Sequence, residues 1–390
     1  MTTLHASHGF SIQPDEHAAV AEVVAGLRAT DGPPPAVVIA YAGVAHDQAR
    51  LLAALEAELP GVVVVGASTQ GVSIPGRCYE ADRFVAAAAL GGEGVRARSA
   101  VAAGFAGDPY AAGVSLAAQL GPAEGPGVTL LWYDPLSGAD VQATLRGLAA
   151  GGHPRVFGGA SGQPWGRMVE TFQYGGGRVM TDGAVALRVD GVLELSDFTH
   201  GAEPLGLELD VTRAEGNVVL ELDGRPALDV WCEQLGVSAE LDVENTSNWA
   251  LGVKPPDDTP YEGVITRAPF GFDPARQALV LQAPIAEGSR VQVCIRTQRA
   301  VFDGAMRMTE RLKARLDGHD PVLVVSFECG ARPAPFLGSE VAEREVLNLQ
   351  HHLGPGVPWL GMYAWGEIAP VGARSEFHNF TFPLCVLCAP

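Results

Sequence analysis

The sequence is poor in basic residues and lacks long hydrophobic runs. Lys and Arg number 26 against 45 Asp and Glu, which gives a formal net charge of −19 at pH 7. Nucleic-acid phosphates and anionic lipid surfaces repel a chain of that charge, so we expect neither nucleic acid nor membrane as a partner. The most apolar runs, such as 62–65 and 86–90, are far shorter than the ~20 residues that span a bilayer.

Cysteine is also scarce, and the first residues do not form a basic segment followed by an apolar one. Six cysteines in 390 residues are too few for a disulfide framework. Because no secretory signal is visible either, we expect a cytoplasmic protein with reduced thiols. Hydrophobic residues make up 47% and charged residues 18%, which is ample for buried cores and excludes a disordered chain.

One arrangement recurs three times, in 36–71, 128–162 and 321–367. Each copy has a short apolar strand, an amphipathic helix and a second strand that ends in glycine and small polar residues. A strand, helix and strand within about 30 to 45 residues predicts a βαβ unit with parallel strands. The segments between the copies have the alternation of antiparallel strands. The predicted fold class is therefore α/β, with repeated βαβ units and mixed parallel and antiparallel sheets in two related halves.

A boundary near residue 225 divides the chain into two comparable parts. We predict an N-terminal segment at 1–35 and two domains, 36–224 and 225–390. The stretch 247–261 is rich in Pro and Asp and predicts a long loop beside the site.

Motifs of nucleotide binding and of hydrolysis are missing. The chain has no G-x-x-x-x-G-K-[ST], and no G-x-G-x-x-G between a strand and a helix. Residues 66–71 have the spacing G-x-S-x-x-G, whereas a nucleophile elbow requires G-x-S-x-G. Cys385 and Cys388 lie in an apolar strand, where their side chains point to opposite faces and suit neither zinc nor a redox pair. We predict that the protein is not an enzyme, and an uncharacterised α/β enzyme is an alternative.

Two charged residues follow the strands of the third copy, Arg332 after the first strand and Glu367 after the second. The carboxyl ends of parallel strands meet at one edge of a sheet, so the two side chains could converge on a ligand. Arginine offers a planar fork for a carboxylate, and glutamate accepts from an ammonium group. The alternative is an Arg–Glu ion pair that organises loops. His378 and Asn379 follow the same turn and are further candidates.

These motifs resemble those of the FIST sensory domain proteins. Residues 62–74 are similar to the family's glycine–small–Ser/Thr–Thr–x–Gly stretch, and 157–162 and 182–186 resemble the rest of its N-terminal part. Three C-terminal motifs occur in the family's order: Phe327-x-Cys329-x-x-Arg332, Gly361-x-x-x-x-Gly366-Glu367-Ile-x-Pro370, and His378-Asn379-x-Thr381. The resemblance extends over about 36–387, nearly the whole chain.

The resemblance implies a bacterial sensory role with a small ligand, such as an amino acid, as input. No output module is visible in the sequence, so we expect a stand-alone sensor that signals in trans to a protein such as a histidine kinase or a cyclase. One branch of the family binds haem and senses nitric oxide through a histidine. A haem-binding sensor with His378 as iron ligand is therefore the alternative, and we predict no other metal ligand.

The predicted ligand-binding residues combine the glycine turns with these polar residues. They are Gly66, Ser68, Thr69, Gly71, Ser161, Arg332, Gly366, Glu367, His378 and Asn379.

Overall fold

The structure is a computed structural model that describes residues 4–28, 34–164, 167, 169–237, 247–255, 259 and 261–390. Its elements form three units with the same order, β-α-β-α-β, a hairpin and a last strand. Unit I contains β1 (Leu4–Ser11), α1 (Glu16–Leu27), β2 (Val37–Ala42), α2 (Gln48–Glu58), β3 (Val63–Ser68), β4 (Gly71–Ile74), β5 (Arg77–Glu80) and β6 (Val85–Gly92).

Unit II repeats this order. It contains β7 (Arg96–Ala103), α3 (Pro109–Leu120), β8 (Gly127–Tyr133), α4 (Val141–Ala150), β9 (Phe157–Ala160), β10 (Gln173–Gly175), β11 (Arg178–Met180) and β12 (Gly183–Asp190). Aspartates cap its helices: Asp140 Oδ1 accepts from the N–H of Gln142 at 3.0 Å at the start of α4.

Unit III has the same order but carries a long insertion after its first strand, β13 (Leu193–Thr199). The insertion contains β14 (Ala202–Glu215), β15 (Val218–Leu222), β16 (Arg225–Pro226), α5 (Ala227–Leu235), β17 (Trp249–Val253), β18 (Ile265–Arg267), β19 (Pro269–Asp273), β20 (Ala278–Leu281) and β21 (Arg290–Arg296). Unit III then continues with α6 (Gln298–Arg315), β22 (Pro321–Cys329), α7 (Ser339–Leu353), β23 (Trp359–Ala364), β24 (Glu367–Val371), β25 (Arg374–His378) and β26 (Phe382–Cys388).

Each unit forms a six-stranded sheet that is completed by a hairpin from another unit. The orders are β1-β6-β2-β3-β10-β11, β7-β12-β8-β9-β24-β25 and β13-β26-β22-β23-β4-β5. The pairs β2/β3, β8/β9 and β22/β23 are parallel, as the βαβ pattern predicts, and the exchanged hairpins join antiparallel. Unit I thus gives its hairpin to the sheet of unit III. Unit III gives its hairpin to the sheet of unit II, and unit II gives its hairpin to the sheet of unit I. The predicted fold class, repeated βαβ units in mixed sheets, is confirmed.

The inner faces of the three sheets share one core. Aromatic residues near the ends of β2, β8 and β22 lie at its centre, and they are Tyr41, Trp132 and Phe327. The indole nitrogen of Trp132 donates to the Tyr41 hydroxyl at 3.1 Å, and its ring lies 6.2 Å from that of Phe327. Complete burial of such a side chain contributes about 1.5–3 kcal/mol, so these contacts hold the units together.

The inserted strands pair with one another as an eight-stranded antiparallel sheet, which we call the inserted sheet. The prediction of a loop over 247–261 is wrong at its start. There, β17 lies between β18 and β21 and its central residues are buried. Residues 256–258 and 260 of that stretch lie outside the described residues. Within the part of the chain that the structure describes, no helix is long and apolar enough to cross a membrane.

Neighbouring strands come very close to three glycines, Gly66, Gly158 and Gly361. Each lies between its parallel neighbour from the same unit (β2, β8 or β22) and the hairpin strand that arrives from another unit (β10, β24 or β4). A Cβ at Gly66 would lie 1.8 Å from a backbone oxygen of β2, and one at Gly158 would lie 2.0 Å from a backbone oxygen of β8. A Cβ at Gly361 would lie 2.1 Å from the Ser73 hydroxyl.

We therefore expect Gly158→Ala to destabilise the native state by at least about 1–3 kcal/mol, because the backbone of β8 cannot move away from the added methyl group. Urea unfolding followed by circular dichroism measures this change. Gly356→Ala is the matched control, because nothing lies within 4 Å of a Cβ there. Equal stability of the two variants would contradict the close approach.

Candidate functional site

The carboxyl ends of β3, β9 and β23 meet at one place, which we call the junction (residues 66–71, 160–163 and 363–366). Ser68 Oγ donates to the carbonyl oxygen of Gly162 at 3.0 Å, which links units I and II. Thr69 Oγ1 donates to the carbonyl oxygen of Tyr363 at 2.9 Å, which links units I and III. The last residue of β9 donates its N–H to the carbonyl of Gly366 at 2.8 Å, which links units II and III.

The junction brings together six of the predicted ligand-binding residues, and their polar groups bond within the protein. The Ser161 hydroxyl accepts from Gln173 Nε2 at 3.0 Å, and the Thr69 hydroxyl also accepts from the N–H of Tyr363 at 3.1 Å. All three hydroxyl side chains are buried. The small residues therefore let three backbones meet, and a role for them in ligand binding stays a prediction. The six are Gly66, Ser68, Thr69, Gly71, Ser161 and Gly366.

Arg332 lies apart from the junction in a buried ion cluster. Its guanidinium donates to Glu345 of α7 at 2.8 Å and to Glu328 of β22 at 3.4 Å, and all three side chains are enclosed. Burial raises the pKa of Glu328 to about 8, although Arg332 opposes the rise. The structure thus gives Arg332 two carboxylate partners other than Glu367. Sequence reasoning missed Glu328, although a carboxylate in an apolar strand four residues before an arginine is a signal of such a pair.

Glu367 begins β24 and binds the turn that follows β25. Its Oε2 accepts from the N–H of Thr381 at 3.0 Å and from the Thr381 hydroxyl at 2.9 Å, and its Oε1 accepts from the N–H of Gly366 at 3.2 Å. Burial raises the pKa of Glu367 to about 8, and the donors of Thr381 counteract part of that rise. The carboxyl group therefore holds two loops together.

His378 faces Glu367 in the register of β24 and β25, and its side chain is enclosed. The ring lies 4.6 Å from the ring of Phe198, and neither ring nitrogen has a hydrogen-bond partner. Burial lowers the pKa of His378 well below its ordinary value. An iron ligand needs a cavity for the porphyrin beside the ring nitrogen, and this ring is packed within the sheets instead. The surroundings of His378 do not fit a haem.

Asn379 connects the end of β25 to the inserted sheet. Its Oδ1 accepts from the N–H of Ala268 at 2.9 Å, and its Nδ2 donates to Gln282 Oε1 at 2.7 Å. Gln282 in turn donates through Nε2 to the carbonyl oxygen of Trp365. Asn379 therefore positions a residue that lines a cavity.

This cavity, of about 430 Å³, lies between unit II and the inserted sheet. The end of β8 and the turn that leads into α4 form one side, and β19, β20 and the loop after β20 form the other. The lining is mainly apolar and aromatic, with a few polar groups: Tyr133, Pro135, Leu136, Gly138, Ala139, Asp140, Val141, Gly216, Asn217, Phe270, Val280, Leu281, Gln282, Pro284 and Trp365.

Tyr133 lines this cavity with part of its side chain. Its hydroxyl group is buried and has no hydrogen-bond partner. Burial raises the pKa of Tyr133 well above its ordinary value, and the nearby Glu367 acts in the same direction. A Cβ at Gly366 would lie 2.8 Å from the hydroxyl oxygen, so the bare backbone of Gly366 makes room for it. A buried hydroxyl without a partner costs about 1–3 kcal/mol, which a ligand that bonds it would recover.

The cavity wall is bonded directly to the junction through Trp365. The indole nitrogen of Trp365 donates to Gln70 Oε1 at 3.2 Å, and Gln70 Nε2 donates to the carbonyl oxygen of Gly330 at 3.1 Å. Sequence reasoning missed this cavity. Trp365 stands beside the predicted Gly366 and Glu367, but Phe270 and Gln282 come from the inserted sheet, where no motif indicated a site.

In the described ranges, no three His, Cys, Asp or Glu side chains are arranged to hold a metal ion. All six cysteines are unpaired.

The raised pKa of Glu367 makes stability depend on pH. The native carboxyl group keeps its proton up to about pH 8, whereas in the unfolded chain it loses the proton near its ordinary value of 4.5. Between these values the unfolded state binds fewer protons, so stability falls as pH rises, by up to ~1.4 kcal/mol per pH unit for each such group.

Glu367→Gln should flatten the dependence of the free energy of unfolding on pH, as measured by urea unfolding. Glu203→Gln, on an exposed side chain, is the control, and parallel profiles for wild type and Glu367→Gln would contradict the assignment.

Comparison with known proteins identifies the family. The model of the FIST N domain matches residues 36–225, and that of the FIST C domain matches 227–370. The Mycobacterium tuberculosis H37Rv "Uncharacterized protein Rv0628c" is 28% identical over 393 residues, which covers 96% of this chain and 97% of that protein. The Mycobacterium bovis "Uncharacterized protein Mb0898c" is 30% identical over 208 residues, which covers 52% of this chain and 53% of that protein.

A solved structure, "T. maritima PurL complexed with ADP", aligns with 99% of this chain and 72% of its own, with 12% identity. Its TM-score of 0.24 is too low to support an argument about fold or function. The two family models together account for most of the sequence. The chain belongs to the FIST family and combines a FIST N domain with a FIST C domain.

Proposed function

We propose that this protein is a sensor that binds a small ligand in the cavity between unit II and the inserted sheet and signals in trans to a partner protein. FIST domains are sensory domains of signal transduction proteins. The observation that carries the proposal is a 430 Å³ cavity whose lining residue Tyr133 has a buried hydroxyl without a hydrogen-bond partner. Sites for small molecules commonly have volumes of about 300–1,000 Å³ and an apolar lining with a few polar groups.

The position of the cavity also supports the proposal. Tyr133 is the last residue of β8, and Trp365 follows the last residue of β23 directly. Open α/β sheets bind ligands outside the carboxyl ends of their parallel strands, and this cavity lies at such ends. Of the predicted residues, Asn379 bonds the lining side chain of Gln282, and Gly366 leaves room for the Tyr133 hydroxyl.

A ligand here would act on two parts of the molecule at once. It would contact unit II on one side and the inserted sheet on the other, so its binding favours arrangements in which both sides fit it. Trp365 would carry the change to the junction through Gln70. The receiver is a signalling protein such as a histidine kinase or a cyclase. The six unpaired cysteines suit a reducing compartment, and we place the sensor in the cytoplasm.

The lining does not favour an enzyme. FIST domains are sensory rather than catalytic. Among the described residues, the lining contains no serine, threonine, cysteine or histidine that would serve as a nucleophile or as its base. The ligand class proposed first is small amines and amino acids, whose ammonium groups the lining can bond.

Tyr133→Phe tests the proposal, because it removes the unpartnered hydroxyl and nothing else. The unliganded variant should be as stable as wild type or slightly more stable, since no internal hydrogen bond is lost. In a thermal-shift screen against amino acids and amines, the affinity of any hit should fall about three- to tenfold.

Tyr174→Phe is the matched control. Tyr174 is equally buried, but its hydroxyl donates to Gln48. This variant should lose about 1 kcal/mol of stability and keep its ligand affinity. A hit whose affinity is the same in wild type and Tyr133→Phe would contradict the proposed site.

A further inference from the structure

The cavity between unit II and the inserted sheet has one charged side chain in its lining, Asp140. Within the described part of the chain, neither lysine nor arginine nor histidine lines it. The chain as a whole has a formal net charge of −19 at pH 7, which attracts cations and repels anions over a longer range. The charge of the site therefore favours a positively charged ligand.

Asp140 has a carboxylate oxygen to offer such a ligand. Its Oδ1 caps α4 through the N–H of Gln142. Its Oδ2 has a contact of 3.5 Å with Arg146, whose side chain is 65% exposed. An exposed pair of this length contributes little, and an ammonium group inside the cavity can replace it.

The remaining lining suits a cation that is attached to an apolar body. Tyr133, Phe270 and Trp365 contribute aromatic rings, whose faces attract cations by up to ~2 kcal/mol when water is excluded. The unpartnered Tyr133 hydroxyl has lone pairs that accept from an ammonium N–H.

A ligand carboxylate finds no equivalent partner. Arg267 is a buried cation that does not line the cavity, and it donates to the carbonyl oxygen of Phe377. Because its side chain is enclosed by protein, a ligand carboxylate in the cavity does not contact it.

We propose that the cavity recognises organic amines, through Asp140 and the aromatic rings, and discriminates against ligands with a free carboxylate. The inference rests on the proposed function and specifies the ligand of the same site. An amine and an amino acid with the same side chain differ only in the carboxylate. Comparing their affinities therefore tests the preference for amines separately from the existence of the site.

The test uses three probes with a phenyl group: 2-phenylethylamine, phenylalanine and 3-phenylpropionate. Isothermal titration of the full chain, at one ionic strength, should give an affinity for the amine at least about tenfold higher than for either carboxylate. Added salt should weaken amine binding, because it screens the attraction to Asp140.

Two variants test whether Asp140 supplies the negative charge that binds the amine. Asp140→Asn keeps the helix cap, because Asn caps as well as Asp, and should reduce amine affinity about tenfold with little change in stability. Arg146→Gln removes the competing cation and should increase amine affinity, by about two- to threefold.

Tighter binding of phenylalanine or 3-phenylpropionate would overturn the inference and leave the proposed function intact, provided that the binding depends on Tyr133. Unchanged amine affinity in Asp140→Asn would also overturn it, as would the failure of all three probes to bind. The proposed function is judged separately, by the Tyr133→Phe variant against the wider panel.

Discussion

The exchange of hairpins among the three units is the constraint on which the rest of the structure depends. Each six-stranded sheet takes its last two strands from another unit, so no unit completes a sheet alone. The exchanged hairpins pair with β3, β9 and β23. Gly66 and Gly158 let β3 and β9 approach β2 and β8 closely, and Gly361 makes room for Ser73 of an exchanged hairpin. The hydroxyls of Ser68 and Thr69 bond backbone oxygens of the other units.

The position of the cavity follows from the same exchange. Unit III sends β24 to the sheet of unit II, and this brings Trp365 and Gly366 beside Tyr133 at the end of β8. Unit III also carries the inserted sheet, which Gln282 and Asn379 join to this end. A cavity therefore forms where two parts of unit III meet unit II. A ligand in it contacts the wall that Trp365 bonds to the junction.

Much of the fold could be predicted from the sequence, because local signals specify local structure. The apolar runs, helix caps and strand spacing predict three βαβ units, and the motifs predict the family. The hairpin exchange could not be predicted, because hydrophobic alternation shows which face of β4 is buried but not which strand it pairs with. The prediction of a loop over 247–261 was wrong at β17, because it relied on the Pro and Asp residues of this stretch and gave too little weight to the apolar run at 249–253.

The candidate site was predicted less well, because buried polar residues look alike in a sequence whatever their role. Arg332 and Glu367 follow strands as ligand-binding residues do, yet each has internal partners. Hydrogen–deuterium exchange with saturating 2-phenylethylamine tests the account most directly. We predict slower exchange in 134–141 and 280–284, which line the cavity. Slower exchange confined to 66–71 and 377–381, with the cavity unchanged, would contradict it.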